Sequence, residues 1–289
     1  MTGVLAGLQD ARGLDFARTE QLVGTSAGAI VAAVLAAGEP LRRPPADATD
    51  AASEPTAATG SPSPLAGGVR ALASAAWAAS SPLTTSLWAR GAGLGALGRA
   101  VVLARLPEGR ASLHGLRDAP ELARARFDGR LRIVAVDRDS GRRVVFGAPG
   151  APRAPVGAAV AASCAVPGVF HPVTIGGRTY VDGAAWSVTN LDVVAVGQGT
   201  HVLCLNVFGG LALRDLPPPL AALRVGARVS EAVEAQAVRR RGGTLRTIVP
   251  DAGSRAVIGG RLMDRKLAAP ALAAGYAQGL ALGNDGTAS

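Results

Sequence analysis

Apolar positions open the chain at helical spacing. Val4, Leu5 and Leu8 recur between Thr2 and Arg12, and the run stops near Gly13, which predicts a short amphipathic helix. Glu20 to Val23 carries a brief strand signal and leads into Gly24-Thr25-Ser26-Ala27-Gly28. Ala29 to Ala37 is then apolar on every face, the pattern of a helix that belongs inside a protein and not on its rim. From Glu39 to Pro64 the periodicity disappears into Pro, Ala, Ser, Thr and Asp, which predicts a long mobile loop, a tether to a lid or a plain insertion. Leu65 to Leu106 is rich in Ala, Leu and Trp with Gly interruptions, and reads as two or three short helices.

Strand patterns return with Leu131 to Asp137 and Arg142 to Gly147, joined by the turn Arg138-Asp139-Ser140-Gly141. Pro155 to Cys164 predicts a helix of small residues. Pro172 to Ile175 and Arg178 to Val181 form a second hairpin across Gly176-Gly177, ending at Asp182-Gly183. His201 to Phe208 predicts a strand, Leu220 to Arg241 a helix, Thr244 to Val249 a strand, and Ser254 to Leu282 mostly helix. Helices and strands in mixed order indicate α/β layers, without an internal repeat.

Composition narrows the class. With 289 residues, 48% of them hydrophobic, the chain can bury a full core without disulfide or metal staples. Cys164 and Cys204 stand forty residues apart with no metal-type spacing, so two reduced thiols packed as small apolar groups are expected. The formal charge of +9 favours anionic partners, nucleic acid and phospholipid headgroups alike. Aromatics make up only 3%, and Trp77, Trp88 and Trp186 are scattered, so the stacking platforms of single-strand binders are missing and no nucleic-acid partner is expected. No basic n-region opens the chain. The longest apolar stretch, Leu22 to Gly38, spans roughly 25 Å, short of a ~30 Å bilayer core, so a cytoplasmic location with peripheral contact at an anionic membrane is expected.

The candidate chemistry starts at Ser26. A Gly-x-Ser-x-Gly turn between a strand and an apolar helix exposes a serine hydroxyl, with Gly24 and Gly28 removing side chains that would crowd the turn. A helix N-terminus there aims backbone N–H groups at developing negative charge. The serine needs a base. His114, His171 and His201 are the only histidines; His201 reads as a strand-edge residue and His171, between Phe170 and Pro172, as a turn residue. Asp182 at the end of a strand, followed by Gly183-Ala184, could act as the base directly or be an ordinary hairpin turn, and spacing does not separate the two. Arg239-Arg240-Arg241 reads as a solvated helix end.

Four blocks together resemble the patatin-like phospholipases: Gly3-Val4-Leu5, Gly24 to Ile30, Ala162-Ser163-Cys164-Ala165-Val166-Pro167-Gly168-Val169-Phe170-His171-Pro172, and Tyr180-Val181-Asp182-Gly183-Ala184. The resemblance covers Thr2 to Gly38 and Leu131 to Phe208. It implies a three-layer α/β/α fold with a mixed central sheet, a single domain over residues 1–289 and a poorly defined helical segment over 65–130. It also implies a Ser26–Asp182 dyad without histidine, acting on acyl esters of phospholipids or related lipids with no cofactor or metal. Val166, Pro167 and Phe170 would then lie near the acyl chain. The family's strand and glycine-rich oxyanion loop stand ahead of the helix that begins here at Gly3, so a reading frame longer than Met1 onward is expected. Two rivals stay open: a lipid- or membrane-binding relative without that loop and without turnover, and an α/β-hydrolase that depends on His201.

Overall fold

The computed structural model describes residues 1–45, 95–210, 218–259 and 265–284. Helix α1 (Thr2–Arg12) buries Val4, Leu5 and Leu8 and ends at Gly13, whose left-handed backbone, φ 64°, lets its N–H return to Gln9 O. Strand β1 spans Leu22–Thr25, two residues later than the apolar pattern predicts. Its last two residues are the small pair Gly24-Thr25, which read as turn in sequence and become strand by pairing with a neighbour. Helix α2 (Ala27–Ala36) follows at once and is buried or half-buried from Ala29 onward, as its apolar faces require.

After the undescribed stretch, α3 (Ala96–Arg105) buries Arg99 and Leu103. The loop expected over Glu39 to Pro64 and most of the helices expected after Leu65 fall on residues outside the described set. Two one-turn helices, α4 (His114–Arg117) and α5 (Pro120–Ala123), precede the strands β2 (Leu131–Asp137) and β3 (Arg143–Phe146). Helix α6 (Val156–Ser163) is buried along its whole length, which only Ala, Gly, Val and a hydrogen-bonded Ser allow in so crowded a place. The hairpin β4 (Val173–Ile175) and β5 (Arg178–Asp182) follows, with Asp182 inside the strand and not beyond it.

β2 lies at the centre of this sheet. It pairs parallel with β1, from Leu22 opposite Leu131 to Thr25 opposite Val134. It pairs antiparallel with β3 over Ile133–Val136 and antiparallel with β5 over Ala135–Asp137. A strand has two edges, and β3 overlaps both other pairings, so β1 and β5 must share the edge opposite β3. They meet there end to end: Thr25 faces Val134 and Asp182 faces Ala135, neighbours about 3.3 Å apart along β2. Helices cover both faces of the mixed sheet. α2 and α6 pack on the side of Ile133, Ala135 and Tyr180, and α3 packs Leu103 and Leu106 against Val136 and Val181 on the other.

A second sheet pairs β6 (His201–Leu205) parallel with β7 (Thr244–Ile248), joined through α7 (Pro218–Arg240), with Val202, Cys204, Leu191 and Val238 packed together. β6 stops short of the predicted Phe208 because Asn206 turns the chain, its Oδ1 accepting from the N–H groups of Phe208 and Gly209. Where the pattern predicts mostly helix from Ser254 to Leu282, the described residues form α8 (Ala252–Ile258), capped by Asp251, and α9 (Ala268–Asn284), which packs along α1. Among the described residues β1 has β2 as its single strand partner. No described helix is long and apolar enough to cross a membrane.

Candidate active site

Ser26 sits at the corner between β1 and α2 with φ 53° and ψ −125°, a conformation that side chains other than glycine rarely adopt and that costs about 1–3 kcal/mol. Two features hold it there. Gly24 is one: a Cβ on it would fall on Ala29 Cα and within 2.6 Å of Gly28 O, both backbone. Gly28, expected to serve the same purpose, does not, since a Cβ there meets open space. The corner is one-sided, tight against β1 and open beyond the helix start.

Ser163 is the second support. From the C-terminal end of α6, its Oγ accepts from Ser26 N–H at 2.9 Å and donates to Val134 O at 2.6 Å, fully buried. This hydroxyl ties the corner to the central strand. Ser163→Ala leaves the N–H and the carbonyl unpartnered, and urea unfolding is expected to show a loss of about 1–3 kcal/mol. Because Ser163 takes the N–H of Ser26 itself, the donors left at the corner are those of Ala27 and Gly28, which precede the first internal bond of α2. Ser26 is half-buried and Ala27 exposed, so a substrate could approach from that side.

Asp182 is 1% exposed. Its Oδ1 accepts from Ala184 N–H at 2.8 Å, while Oδ2 is buried without a hydrogen bond of full geometry. The hydroxyl of Ser26 is nonetheless near enough to favour the ionised carboxylate, as is Ala184 N–H. Burial outweighs both and pushes this carboxyl up to about 7. Burial also drives the Cys164 thiol well above its ordinary value, helped by the neighbouring Asp182 charge. Gly183 is required by contact: a Cβ would strike Val134 O and come within 3.1 Å of the Thr25 methyl.

The structure thus brings Ser26 and Asp182 together with Gly24, Thr25, Ala27, Gly183 and Ala184. Among the histidines, His114 bonds Ser112, His201 bonds Thr244, and the ring of His171 is exposed; the neighbours that act on Asp182 include no imidazole. Val166 and Pro167 are half-buried beside the turn that holds Asp182, where Ala165 O accepts from Asp182 N–H. Phe170 is 1% exposed. With Pro167, Leu103, Leu106 and Val181 it lines a crevice of about 10 Å³, room for one water-sized group and not for a fatty acyl chain.

Sequence reasoning missed a polar lattice on the other side of the corner. Asn190, buried in the left-handed region at φ 48°, donates to Thr25 Oγ1 at 3.1 Å and to Ser187 O at 2.5 Å. Its Oδ1 accepts from Arg143, which also grips Asp192 through two bonds of 2.6 Å. Glu234, on α7, accepts from Thr189 Oγ1 and Leu191 N–H. Burial raises the Glu234 carboxyl above its ordinary value. No local pattern could reveal these partners, which come from four separate segments. A sequence model of the patatin-like phospholipases matches residues 1–195, a span that holds both Ser26 and Asp182.

The chain belongs to the patatin-like phospholipase family. Members of that family are typically lipid acyl hydrolases. The mixed sheet with helices on both faces agrees with the patatin fold. The matched span ends at Ala195, whose N–H and carbonyl are both held by the side chain of Gln21 just ahead of β1, at 2.9 and 2.7 Å. A search of curated proteins finds no match to the chain.

Proposed function

We propose that this patatin-like protein hydrolyses acyl esters of phospholipids or related lipids, with Ser26 as nucleophile and Asp182 as its base. The observation that carries the reading is the end-to-end meeting of β1 and β5 on one edge of β2, which sets the strained serine corner against a buried carboxyl. The Asp182 carboxylate takes the proton of Ser26 Oγ as the oxygen bonds to the ester carbon. It returns that proton to the leaving alcohol as the ester C–O bond breaks. Water then attacks the acyl-enzyme as Asp182 takes its proton, and Asp182 returns that proton to Ser26 Oγ as the C–Oγ bond breaks and the fatty acid leaves.

Ala27 N–H, at the positive end of α2, is the donor on this chain best placed for the carbonyl oxygen, being the residue after the nucleophile. Val166 and Pro167 supply apolar surface beside the Asp182 turn for the acyl chain. The net charge of +9 supports peripheral contact with anionic lipid at the substrate interface.

The test combines a lipid-ester panel with a fluorophosphonate probe and mass-spectrometric mapping of the adduct. An adduct on Ser26 together with fatty-acid release supports the reading. Failure of the protein to react with the probe and to release fatty acid sinks it. The pH profile is a separate expectation: with a base at about 7, kcat/KM rises about tenfold per pH unit below that value and levels off above it. A profile flat from pH 5 to 8 would assign the base elsewhere.

A further inference from the structure

Helix α3 turns an arginine inward. Arg99 is 5% exposed, and its guanidinium donates to Ala185 O and to Gly141 O, each at 3.0 Å. The first carbonyl belongs to the turn that follows Asp182, one residue beyond the N–H that holds Asp182 Oδ1. The second belongs to the turn between β2 and β3. The same guanidinium lies over the indole of Trp186, 4.2 Å from the ring centre, and Arg143 approaches that ring at 5.1 Å. Arg143 continues through Asn190 to Thr25, the residue before Ser26. One connected set of contacts therefore braces the flank of the acid and the flank of the serine.

Stability alone does not account for this choice. Burial and the nearby positive charge of Arg143 both oppose the protonated form of Arg99, holding its pKa below the ordinary arginine value. An apolar side chain of similar length on α3 would join Leu103 and Leu106 against Val136 and Val181 without either penalty. What an apolar residue cannot do is grip two carbonyls in fixed directions while stacking on an indole.

We propose that Arg99 is a positioning residue for the Asp182 carboxyl, locking the turn Gly183–Trp186 onto α3 and the β2–β3 turn so that the carboxyl stays buried and aimed at Ser26. Its consequence for turnover rests on the dyad reading; the positioning itself does not. The groups that act on Asp182 are Ser26 from the β1–α2 corner and Ala184 N–H in its own turn, while Cys164 at the end of α6 feels the Asp182 charge. The charge of Arg99 is not one of them, so a change in Asp182 titration on altering Arg99 reports position and hydration.

The experiment follows the Asp182 carboxyl by carbon-13 NMR on protein labelled at aspartate, the signal assigned by its disappearance in Asp182→Asn. In Arg99→Met the turn loosens, water reaches the carboxyl, and the midpoint drops from about 7 by about one unit or more toward the ordinary carboxylate value. Arg99→Lys keeps the charge but cannot span both carbonyls, so it shifts in the same direction, and it carries the test if the methionine variant does not fold. A parent-like midpoint in the folded variants overturns the assignment, even if their melting temperatures fall, because Arg99 is then structural only. If the midpoint shifts while the parent protein ignores the fluorophosphonate, the hydrolase reading fails and the positioning of Asp182 stands.

Discussion

Ser26→Ala and Asp182→Asn are each expected to reduce lipid-ester hydrolysis by about 10⁴-fold or more, and the double variant to be no worse than the poorer single one, since nucleophile and base act as a unit. Steady-state rates on the best ester of the panel, with fluorophosphonate labelling as a second readout, decide this. Full activity in either variant removes the dyad. The two substitutions should differ in their effect on stability. Asp182 is an acid whose pKa rises on folding, from an ordinary value of 3.8 to about 7. Between those values the folded protein holds a proton that the unfolded chain has released, so this group's contribution falls as pH rises through the window and is at its worst above about 7. The deficit is on the order of 4 kcal/mol as an upper figure, because a native state that relaxes around the charge loses less. Asp182→Asn removes the charge and keeps the shape. Its unfolding free energy should therefore exceed that of the parent at pH 8 and approach it at pH 4; equal stability at pH 8 would mean that the carboxyl is better solvated than its burial implies.

Gly183→Ala is expected to cost both stability and rate while retaining Ser26 and Asp182. The added methyl would overlap Val134 O and press on the Thr25 side chain, and neither neighbour can retreat cheaply. Val134 O is held by the Ser163 hydroxyl, and Thr25 is paired in β1 and bonded to Asn190. The acid turn itself must move, and it carries the N–H that orients Asp182. A loss of about 1–3 kcal/mol in stability is expected from overpacking. The rate should fall by about 10²-fold, since a displacement near 1 Å between reacting groups is enough for that. The comparison that isolates the effect is Gly28→Ala, where the new methyl meets open space. Similar losses in both variants would show that glycine at these sites serves the backbone generally and not the approach of β5 to β1.

Much of the fold was legible because burial leaves a period in the sequence. α1, α2, β2, β3, α6 and the β4–β5 hairpin all lie within a few residues of where the apolar pattern put them. Misplacements have local causes. β1 runs through Gly24 into Thr25 because pairing with β2 makes strand of a glycine that carries no strand preference of its own. β6 stops early because one buried asparagine side chain captures two backbone N–H groups. The Gly-x-Ser-x-Gly pattern predicts a steric role for both glycines, although only Gly24 faces backbone. Ser163 lies within the Ala162–Pro172 block that resembles the family, yet nothing in its neighbours says that its hydroxyl bonds the serine corner.

The sequence by itself determined that this chain builds an α/β fold resembling that of the patatins and that a serine stands at a strand-to-helix turn, while it left a histidine-dependent alternative open. These follow from residue types and spacings, which act over a few positions along the chain. Only the tertiary structure decided that Asp182 and not another Asp-Gly is the serine's neighbour, because that choice depends on two strands ending against consecutive residues of a third. Register between distant segments is set by packing and hydrogen bonding across the whole sheet. The same holds for the pKa of the carboxyl and for the Arg99, Trp186, Arg143 and Asn190 contacts: they arise from groups remote in number that share one buried space, and burial is a property of the assembled fold.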